Sequence, residues 1–345
     1  MTLLESENAI GPSDRDMTAV VCERYGSADL LKFVRLPRPS PKADEILICV
    51  LASTITSADC RVRGFNLPRG FGLIGRLALG ITGPRQPILG TEMAGEVVEA
   101  GSTVANFQVG DRVFAFRGGR MGCHAEYQCV PAAGPVAKTP PNLTVEQAAA
   151  LCFGGSTMLD FYRRGRLVAG DQVLVNGASG GVGTAAVQLA KYFGAHVTAV
   201  CSGANAERLR SLGADRVIDY TQEDFTRCSL PFDVIVDAVG NAPYARSSKL
   251  LRPGGRLLML VGSLWDLLQA PLINLLTDKN VVAGPASERV ECVQQLGRLA
   301  AAGHVLPVID SCYPFEKIVD AYQYVDRGHK RGNVCIIFTH RPEQI

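Results

Sequence analysis

Val173-Leu-Val-Asn-Gly-Ala-Ser-Gly-Gly-Val-Gly183, continuing into Thr184-Ala-Ala-Val-Gln-Leu-Ala-Lys-Tyr-Phe-Gly194, is the stretch whose reading decides the fold. The short apolar run predicts a strand, the glycine-rich segment a tight turn, and the small residues after it a helix. A dinucleotide pyrophosphate needs that order, because the turn must be tight, the backbone must come close to the phosphates, and the helix must aim its free N–H groups at the anion. Glycine, with no Cβ, permits the first two. In Gly-x-Gly-x-x-Gly spacing the key positions are Ala178, Gly180 and Gly183, so alanine stands first. A lone glycine pattern is a weak signal. This one follows a strand, opens a helix and precedes the end of a second strand by about 20 residues, which makes it strong. The expected cofactor contacts along the turn are Ala178, Ser179, Gly180, Gly181, Val182 and Gly183.

Outward from the turn, apolar strands and helices alternate. Strands are expected at 172–176, 196–201, 216–219, 233–239, 256–261 and 280–283, and intervening helices end at Gly194, Gly213 and Gly255. Six strands separated by helical stretches imply an α/β fold with a doubly wound, Rossmann-type parallel sheet. Before it, Thr144 with Gln147 three residues on predicts a capped helix start. From Met17 to about Asn142 the texture is that of β structure, with short apolar segments at 19–23, 45–53, 95–100, 112–116 and 126–131 between turn signals. After a helix at 288–302 the chain returns to β texture and ends in a strand from Asn333 that could complete the first domain's sheet. The expected organisation is a polar, poorly ordered tail at 1–16, a β-rich domain at 17–146, the nucleotide domain at 147–283, and the rest of the β-rich domain at 284–345. The Gly- and Arg-rich stretch 65–87 reads as an irregular surface excursion.

Composition excludes other classes. The chain has 345 residues, 47% hydrophobic and 20% charged, with net charge +2, so nothing favours nucleic acid or an anionic membrane surface as partner. Eleven scattered cysteines without a Cys-x-x-Cys argue for reduced thiols and a cytoplasmic location. The N-terminus has neither a basic region followed by an apolar core nor an Arg-rich pattern, so it reads as neither signal nor transit peptide. No apolar run reaches the ~18 residues of a membrane span. The nearest, 264–276, is interrupted by Asp266, Gln269 and Pro271.

The end of the second strand bears on cofactor choice. An Asp or Glu there would accept from the ribose 2′-hydroxyl of NAD. This chain has Cys201-Ser202-Gly203 instead. Ser202 can donate to a 2′-phosphate, Arg208 can supply charge, and Tyr220 can cover the adenine, so NADPH is the expected cofactor. Its reacting end belongs at the carboxyl ends of the strands, where Val239-Gly240 and Val261-Gly262 let backbone pass close to the ribose and nicotinamide.

Several segments together resemble the zinc-free quinone oxidoreductase branch of the medium-chain dehydrogenase/reductase superfamily. They are Ile88-Leu-Gly-Thr-Glu-Met-Ala-Gly-Glu-Val97, Val109-Gly-Asp-Arg-Val113, Ala148-Ala-Ala-Leu151, the nucleotide turn, Leu212-Gly-Ala-Asp215 with Asp219-Tyr220, and Leu251-Arg-Pro-Gly-Gly255. The resemblance implies a GroES-like domain made from both chain ends, an inserted nucleotide domain, a cleft between them for hydride transfer, and a homodimer. Where zinc alcohol dehydrogenases carry ligands, this chain has Thr56, Thr91 and Phe153, so no catalytic metal is expected. Cys123, His124 and Cys129 lie close together but read as core or loop. The resemblance assigns Thr157, in Gly155-Ser-Thr157, to the nicotinamide carboxamide, and Asn333 to the nicotinamide or substrate. Ser57 stands where the family often has tyrosine. Asp59 is the expected polar anchor or proton relay, with Arg63 beside it, and Phe65, Phe153 and Trp265 are the expected apolar acceptor pocket. The activity implied is zinc-independent hydride transfer from NADPH to a quinone or α,β-unsaturated carbonyl. Two alternatives stay open. One is a nucleotide-binding regulatory or interaction protein with little turnover. The other is an enoyl-thioester reductase that uses Arg69, Arg76 and Arg85 to hold a phosphorylated carrier.

Overall fold

A computed structural model describes residues 16–228 and 230–339. The tail expected at 1–16 lies outside the described residues, except that Asp16 already belongs to the strand Asp16–Val21.

Six parallel strands form one sheet in the order Arg216–Asp219, His196–Cys201, Gln172–Asn176, Phe232–Asp237, Leu251–Met259, Asn280–Ala283. The first strand in sequence lies at the centre and the order reverses on either side of it, the doubly wound arrangement that opens a crevice at the strands' carboxyl ends. Val173, Leu174 and Val175 are fully buried because helices cover both faces of the sheet. The helices Cys152–Arg164 and Gly181–Tyr192 cross so closely that a Cβ on Gly154 would sit 2.8 Å from the Gly181 carbonyl oxygen. Tyr162 donates from its hydroxyl to the Ala186 carbonyl across that crossing, at 2.8 Å. The small side chains after the turn are there to allow this approach.

The other domain is a seven-stranded sheet. Its main path runs Ile309–Pro314, Asn333–Ile337, Glu45–Ile55, Glu92–Ala100, Arg112–Phe116, Val136–Lys138, with Tyr127–Pro131 also paired to Glu45–Ile55. The last strand therefore lies antiparallel to the third, with Val334 opposite Ile55 and Ile337 opposite Ala52. Both chain ends build one sheet, and Asn333 is brought to the nucleotide turn by a strand of the other domain.

One segment differs from the sequence reading, and a second takes a form the sequence reading left open. The stretch 65–87 is not wholly irregular. It contains the helix Gly72–Leu79, whose Leu73, Ile74 and Leu77 face outward. Glycines at 70, 72, 75 and 80 hide that helix from a propensity reading. The stretch 264–276 is the helix Leu264–Leu276, started by a capping box in which Ser263 and Asp266 satisfy each other's backbone N–H groups. No described helix is long and apolar enough to cross a membrane.

Candidate active site

The nucleotide turn is built by exclusion of side chains. Gly177 has φ of 81°, which favours glycine. A Cβ on Gly183 would lie 2.1 Å from the Gly177 carbonyl oxygen and 2.7 Å from the Ala178 backbone, so this position holds the turn against the helix. A Cβ on Gly181 would meet the Asn333 side-chain oxygen at 2.2 Å. Gly180 differs, since its Cβ would meet only the Gly177 carbonyl oxygen, at 3.8 Å. Gly180 is the N-cap of Gly181–Tyr192 and offers no side-chain oxygen to the helix. The first-turn N–H groups therefore face open space with the positive end of the helix dipole behind them. This cradle fits a pyrophosphate. Ala178 is fully buried and its N–H bonds to the Val200 carbonyl, while Ser179 and Val182 are half-buried on the turn's open side.

A group that sequence reasoning missed organises the neighbouring turn. Asp237, fully buried at the end of its strand, accepts from the backbone N–H of Val239 (3.1 Å), Gly240 (2.9 Å) and Ala242 (2.8 Å). Asn176 donates to Asp237 and to Asn241. Polar residues closing two apolar strands were the available signal. Val239 is exposed to the crevice beside Gly177, and the Gly240 Cβ position is occupied by Val261 at 2.9 Å, so Val239, Gly240 and Val261 gather around the strand ends. Gly262 leads from Val261 into the Ser263 cap.

At the adenosine end, Ser202 accepts from the Asn205 side chain at 2.9 Å, and the Tyr220 N–H bonds to the Cys201 carbonyl at 3.0 Å. Tyr220 is half exposed beside this strand end. Arg208 is exposed and donates to the Arg331 carbonyl at 3.0 Å. The fold also brings a carboxylate here that the reading of the second strand omits. Asp219, from the third strand, lies where a Cβ on Gly203 would stand 2.4 Å from its oxygen. Hydrogen bonds from the Thr221 backbone and hydroxyl hold its carboxyl below the usual range, so it is charged.

Between the domains lies a cavity of about 450 Å³. Thr157, Val182, Leu260 and Val261 line its nucleotide-domain side, and Phe153, Phe161 and Phe116 make apolar walls. Ser57, Arg61 and Val62 of the helix Ser57–Gly64, with Arg85 and Gln86, line the opposite side. Two of these groups escaped the sequence reading. Ser156 is buried and its Oγ has no hydrogen-bond partner. The Arg61 side chain reaches the cavity one helical turn after Ser57.

Not all expected site residues reach this cavity. Asp59 is fully buried as the capping-box partner of Thr56, accepting from the Thr56 N–H and hydroxyl at 2.7 and 2.6 Å and from the Gly90 N–H at 3.0 Å. Both its oxygens are engaged, and it is not part of the lining. Arg63 points the other way, pairing with Asp326 at 2.6 Å and donating to the Gly26 carbonyl. Phe65 has a left-handed φ of 52° at the helix end and packs against Tyr25 and Arg76. Trp265 is 66% exposed, because the Ser263 cap sets a register that turns it outward with Leu268, Leu272 and Leu275. Of the expected aromatic pocket, Phe153 alone lines the cavity. Arg76 lies over the Tyr25 and Phe65 rings, so it is committed to packing.

Glu92 ties the two domains together. It is fully buried, accepting from the Thr54 hydroxyl and the Phe153 N–H, both at 2.6 Å. It thereby serves the N-terminus of Cys152–Arg164, whose own N-cap residue makes no side-chain bond. Burial outweighs these donors and pushes its carboxyl up to about 7. His124 is buried between the Thr54 carbonyl (3.1 Å) and the Tyr322 hydroxyl (3.3 Å), and desolvation keeps its ring below the ordinary histidine range. Thr56 and Thr91 stand 3.4 Å apart through their hydroxyls. Among the described residues no group of three or more His, Cys, Asp or Glu converges as a metal site.

A doubly wound nucleotide domain facing a split β domain across an apolar cleft defines a two-domain, nicotinamide-dependent oxidoreductase. Comparison with known proteins places it further. The family model for the alcohol dehydrogenase GroES-like domain matches residues 42–141, and that for zinc-binding dehydrogenase matches residues 212–336. The chain is 32% identical to the bovine (Bos taurus) mitochondrial NAD(P)H oxidoreductase RTN4IP1, over 94% of this chain and 90% of the relative. It is 30% identical to the Arabidopsis thaliana chloroplastic NADPH-dependent alkenal/one oxidoreductase, over 93% and 80% respectively. Among solved structures, the quinone oxidoreductase from Coxiella burnetii superposes with a TM-score of 0.80 at 27% identity, covering 94% of this chain and all of that one. The chain belongs to the quinone oxidoreductase-like branch of the medium-chain dehydrogenase/reductase superfamily.

Proposed function

We propose that this protein is an NADPH-dependent, zinc-independent reductase of quinones or α,β-unsaturated carbonyls. The observation that carries the proposal is the apolar cleft cavity, whose nucleotide side presents Thr157, Val182 and Val261, in a chain that has Thr56, Thr91 and Phe153 where zinc ligands would stand. Without a metal to polarise an alcohol or a simple ketone, an already electrophilic acceptor is the easier substrate.

NADPH, when bound, supplies the hydride. The residues of the turn hold the pyrophosphate, and Thr157 and Asn333 lie at the nicotinamide end. As the acceptor's β-carbon, or a quinone oxygen or carbon, takes the hydride, the displaced electron pair moves to a carbonyl oxygen. A proton from solvent completes the reduction. The partnerless Ser156 hydroxyl is free to donate a hydrogen bond to that oxygen, and the phenylalanine walls exclude water, which strengthens the bond. The protein's contribution is mainly proximity and orientation.

NADPH is favoured over NADH by Ser202 and Arg208, which outnumber the single opposing carboxylate of Asp219. Eleven free cysteines support a reducing compartment such as the cytoplasm. A homodimer belongs to the same reading. The edge strand Asn280–Ala283 has one neighbour among the described strands, and Leu268, Leu272 and Leu275 are exposed on the helix preceding it. Light scattering tests the oligomeric state. The activity is tested by NADPH oxidation against a panel of quinones and enones, with metal analysis of the same preparation. Turnover without stoichiometric zinc is expected. Tight NADPH binding with no panel member reduced would instead indicate a regulatory nucleotide-binding protein.

A further inference from the structure

The cavity is apolar except for a few groups, and those groups are not equally occupied. Arg85 donates to the Leu77 carbonyl at 2.8 Å, and Glu288 accepts from the Gly119 N–H at 2.6 Å. Two others have no such partner. The Ser156 Oγ is buried without a hydrogen bond, and the Arg61 guanidinium makes no hydrogen bond or ion pair among the described residues. Arg61 is not free in solvent. It is half-buried, and desolvation draws its pKa down from the ordinary arginine range. Its neighbour in sequence, Cys60, supplies no counter-charge, because burial pushes that thiol up to about 12 and keeps it neutral. Glu288, the one carboxylate on the lining, has its bond already made to the Gly119 N–H.

A guanidinium taken out of water without a counter-ion is costly, and an arriving anion removes that cost. A neutral hydroxyl buried without a partner is satisfied by a neutral oxygen. The two vacancies therefore differ in what they accept. Arg61 suits a carboxylate, because its planar fork matches two carboxylate oxygens, and Ser156 suits a carbonyl. We propose that the physiological acceptor is an anionic enone, an α,β-unsaturated carbonyl compound carrying a carboxylate, with the carboxylate held by Arg61 and the carbonyl oxygen by Ser156. This rests on the reductase reading and narrows it from a general enone or quinone to an acid. Arg61 lies on the GroES-like side of the cavity, and Thr157 and Val182 lie on the nucleotide side, so an acceptor bridging the two is spread across the cofactor's reacting end.

The test uses 4-oxopent-2-enoate and its methyl ester as acceptors, with the full chain saturated with NADPH. Wild type should favour the acid in kcat/KM by about 10- to 100-fold, the range of a charge-assisted pair in a desolvated site. In Arg61→Gln that ratio should collapse toward one, and Arg61→Lys should restore part of it. Calorimetric binding of the saturated acid 4-oxopentanoate and its methyl ester to the NADPH complex gives the same comparison without turnover. Acid and ester binding equally to wild type would overturn the proposal. So would an Arg61→Gln variant that weakens NADPH several-fold and leaves the acid-to-ester ratio unchanged, since Arg61 would then serve a cofactor phosphate. Equal turnover of both compounds refutes the anionic acceptor but leaves the reductase reading intact. Preferential binding of the acid with no reduction of either compound refutes the reductase reading while leaving the anion site standing.

Discussion

Gly183→Ala and Gly180→Ala should have different consequences, although both replace a glycine of the same turn. At position 183 the new Cβ lands 2.1 Å from the Gly177 carbonyl oxygen and 2.7 Å from the Cα and carbonyl carbon of Ala178. Ordinary contact begins near 3.4 Å. The neighbours are backbone atoms, fixed by the bond from the Ala178 N–H to the Val200 carbonyl, so no flexible side chain can give way. The turn must retreat by roughly 1 Å, and overpacking of this kind costs about 1–3 kcal/mol. At about 2–4 °C per kcal/mol for a domain of this size, melting should fall by ~2–12 °C. The same retreat moves the first-turn N–H groups, and NADPH affinity should drop at least about tenfold, or 1.4 kcal/mol. At position 180, φ of −77° and ψ of 172° suit any residue, and the Cβ meets only the Gly177 carbonyl oxygen at 3.8 Å. Gly180→Ala should therefore melt within about 1 °C of wild type yet bind NADPH more weakly, because its methyl group occupies the space above the helix N-terminus. Thermal melting of the cofactor-free protein and fluorescence titration with NADPH read both effects. If Gly183→Ala melts and binds like wild type, or if Gly180→Ala is the variant that loses stability, the account of the turn is wrong.

Three further outcomes follow from the cleft and the adenosine end. Burial raises the Glu92 carboxyl from about 4.5 in the unfolded chain to about 7 in the folded one, so the folded state keeps a proton that the unfolded state releases. Its contribution is full below about 4.5 and is lost as pH rises through about 7, a change on the order of 3 kcal/mol. Melting temperature should therefore fall across that window in wild type and fall less in Glu92→Gln, and identical slopes would contradict the assignment. Arg208→Gln should raise the KM for NADPH by about tenfold while changing that for NADH by less than about twofold, since only the former carries a 2′-phosphate. Equal effects on both cofactors would remove Arg208 from the phosphate site. Ser156→Ala should lower kcat by about tenfold while leaving NADPH affinity unchanged, if its hydroxyl bonds the acceptor carbonyl as the electron pair arrives. An unchanged kcat would leave that hydroxyl without a role.

The nucleotide domain was legible because its strands are buried on both faces and bounded by glycine. The sequence reading sets the strands 172–176, 196–201, 216–219 and 280–283 at their observed limits. The fifth strand begins earlier than expected, at Leu251, because Pro253-Gly254-Gly255 reads as punctuation, whereas the fold carries it as an irregularity between Leu251 and Arg256. The helix Gly72–Leu79 was illegible for a similar reason. Residues defined by convergence were harder to read. Asp219 meets Gly203 from another strand, Glu92 meets the Phe153 N–H from another domain, and Arg61 and Ser156 face the cavity from opposite sides. Nothing in their local sequence marks them. Asp59 shows the converse, since a polar residue at a family-like position is explained here by a helix cap. Trp265 attracts attention as the chain's one tryptophan, but its direction is set by the cap two residues before it.

The most direct test of the central claim is to follow one hydrogen. Protein stripped of metal by a chelator and verified zinc-free is mixed with NADPH carrying deuterium on the transferable face of nicotinamide C4, together with an enone acceptor, and the product is examined by mass spectrometry and NMR. The account predicts one deuterium on the former β-carbon, a solvent-derived hydrogen on the α-carbon, and a rate that does not rise when zinc is restored. Product without deuterium, or reduction that appears only when zinc is returned, would contradict it.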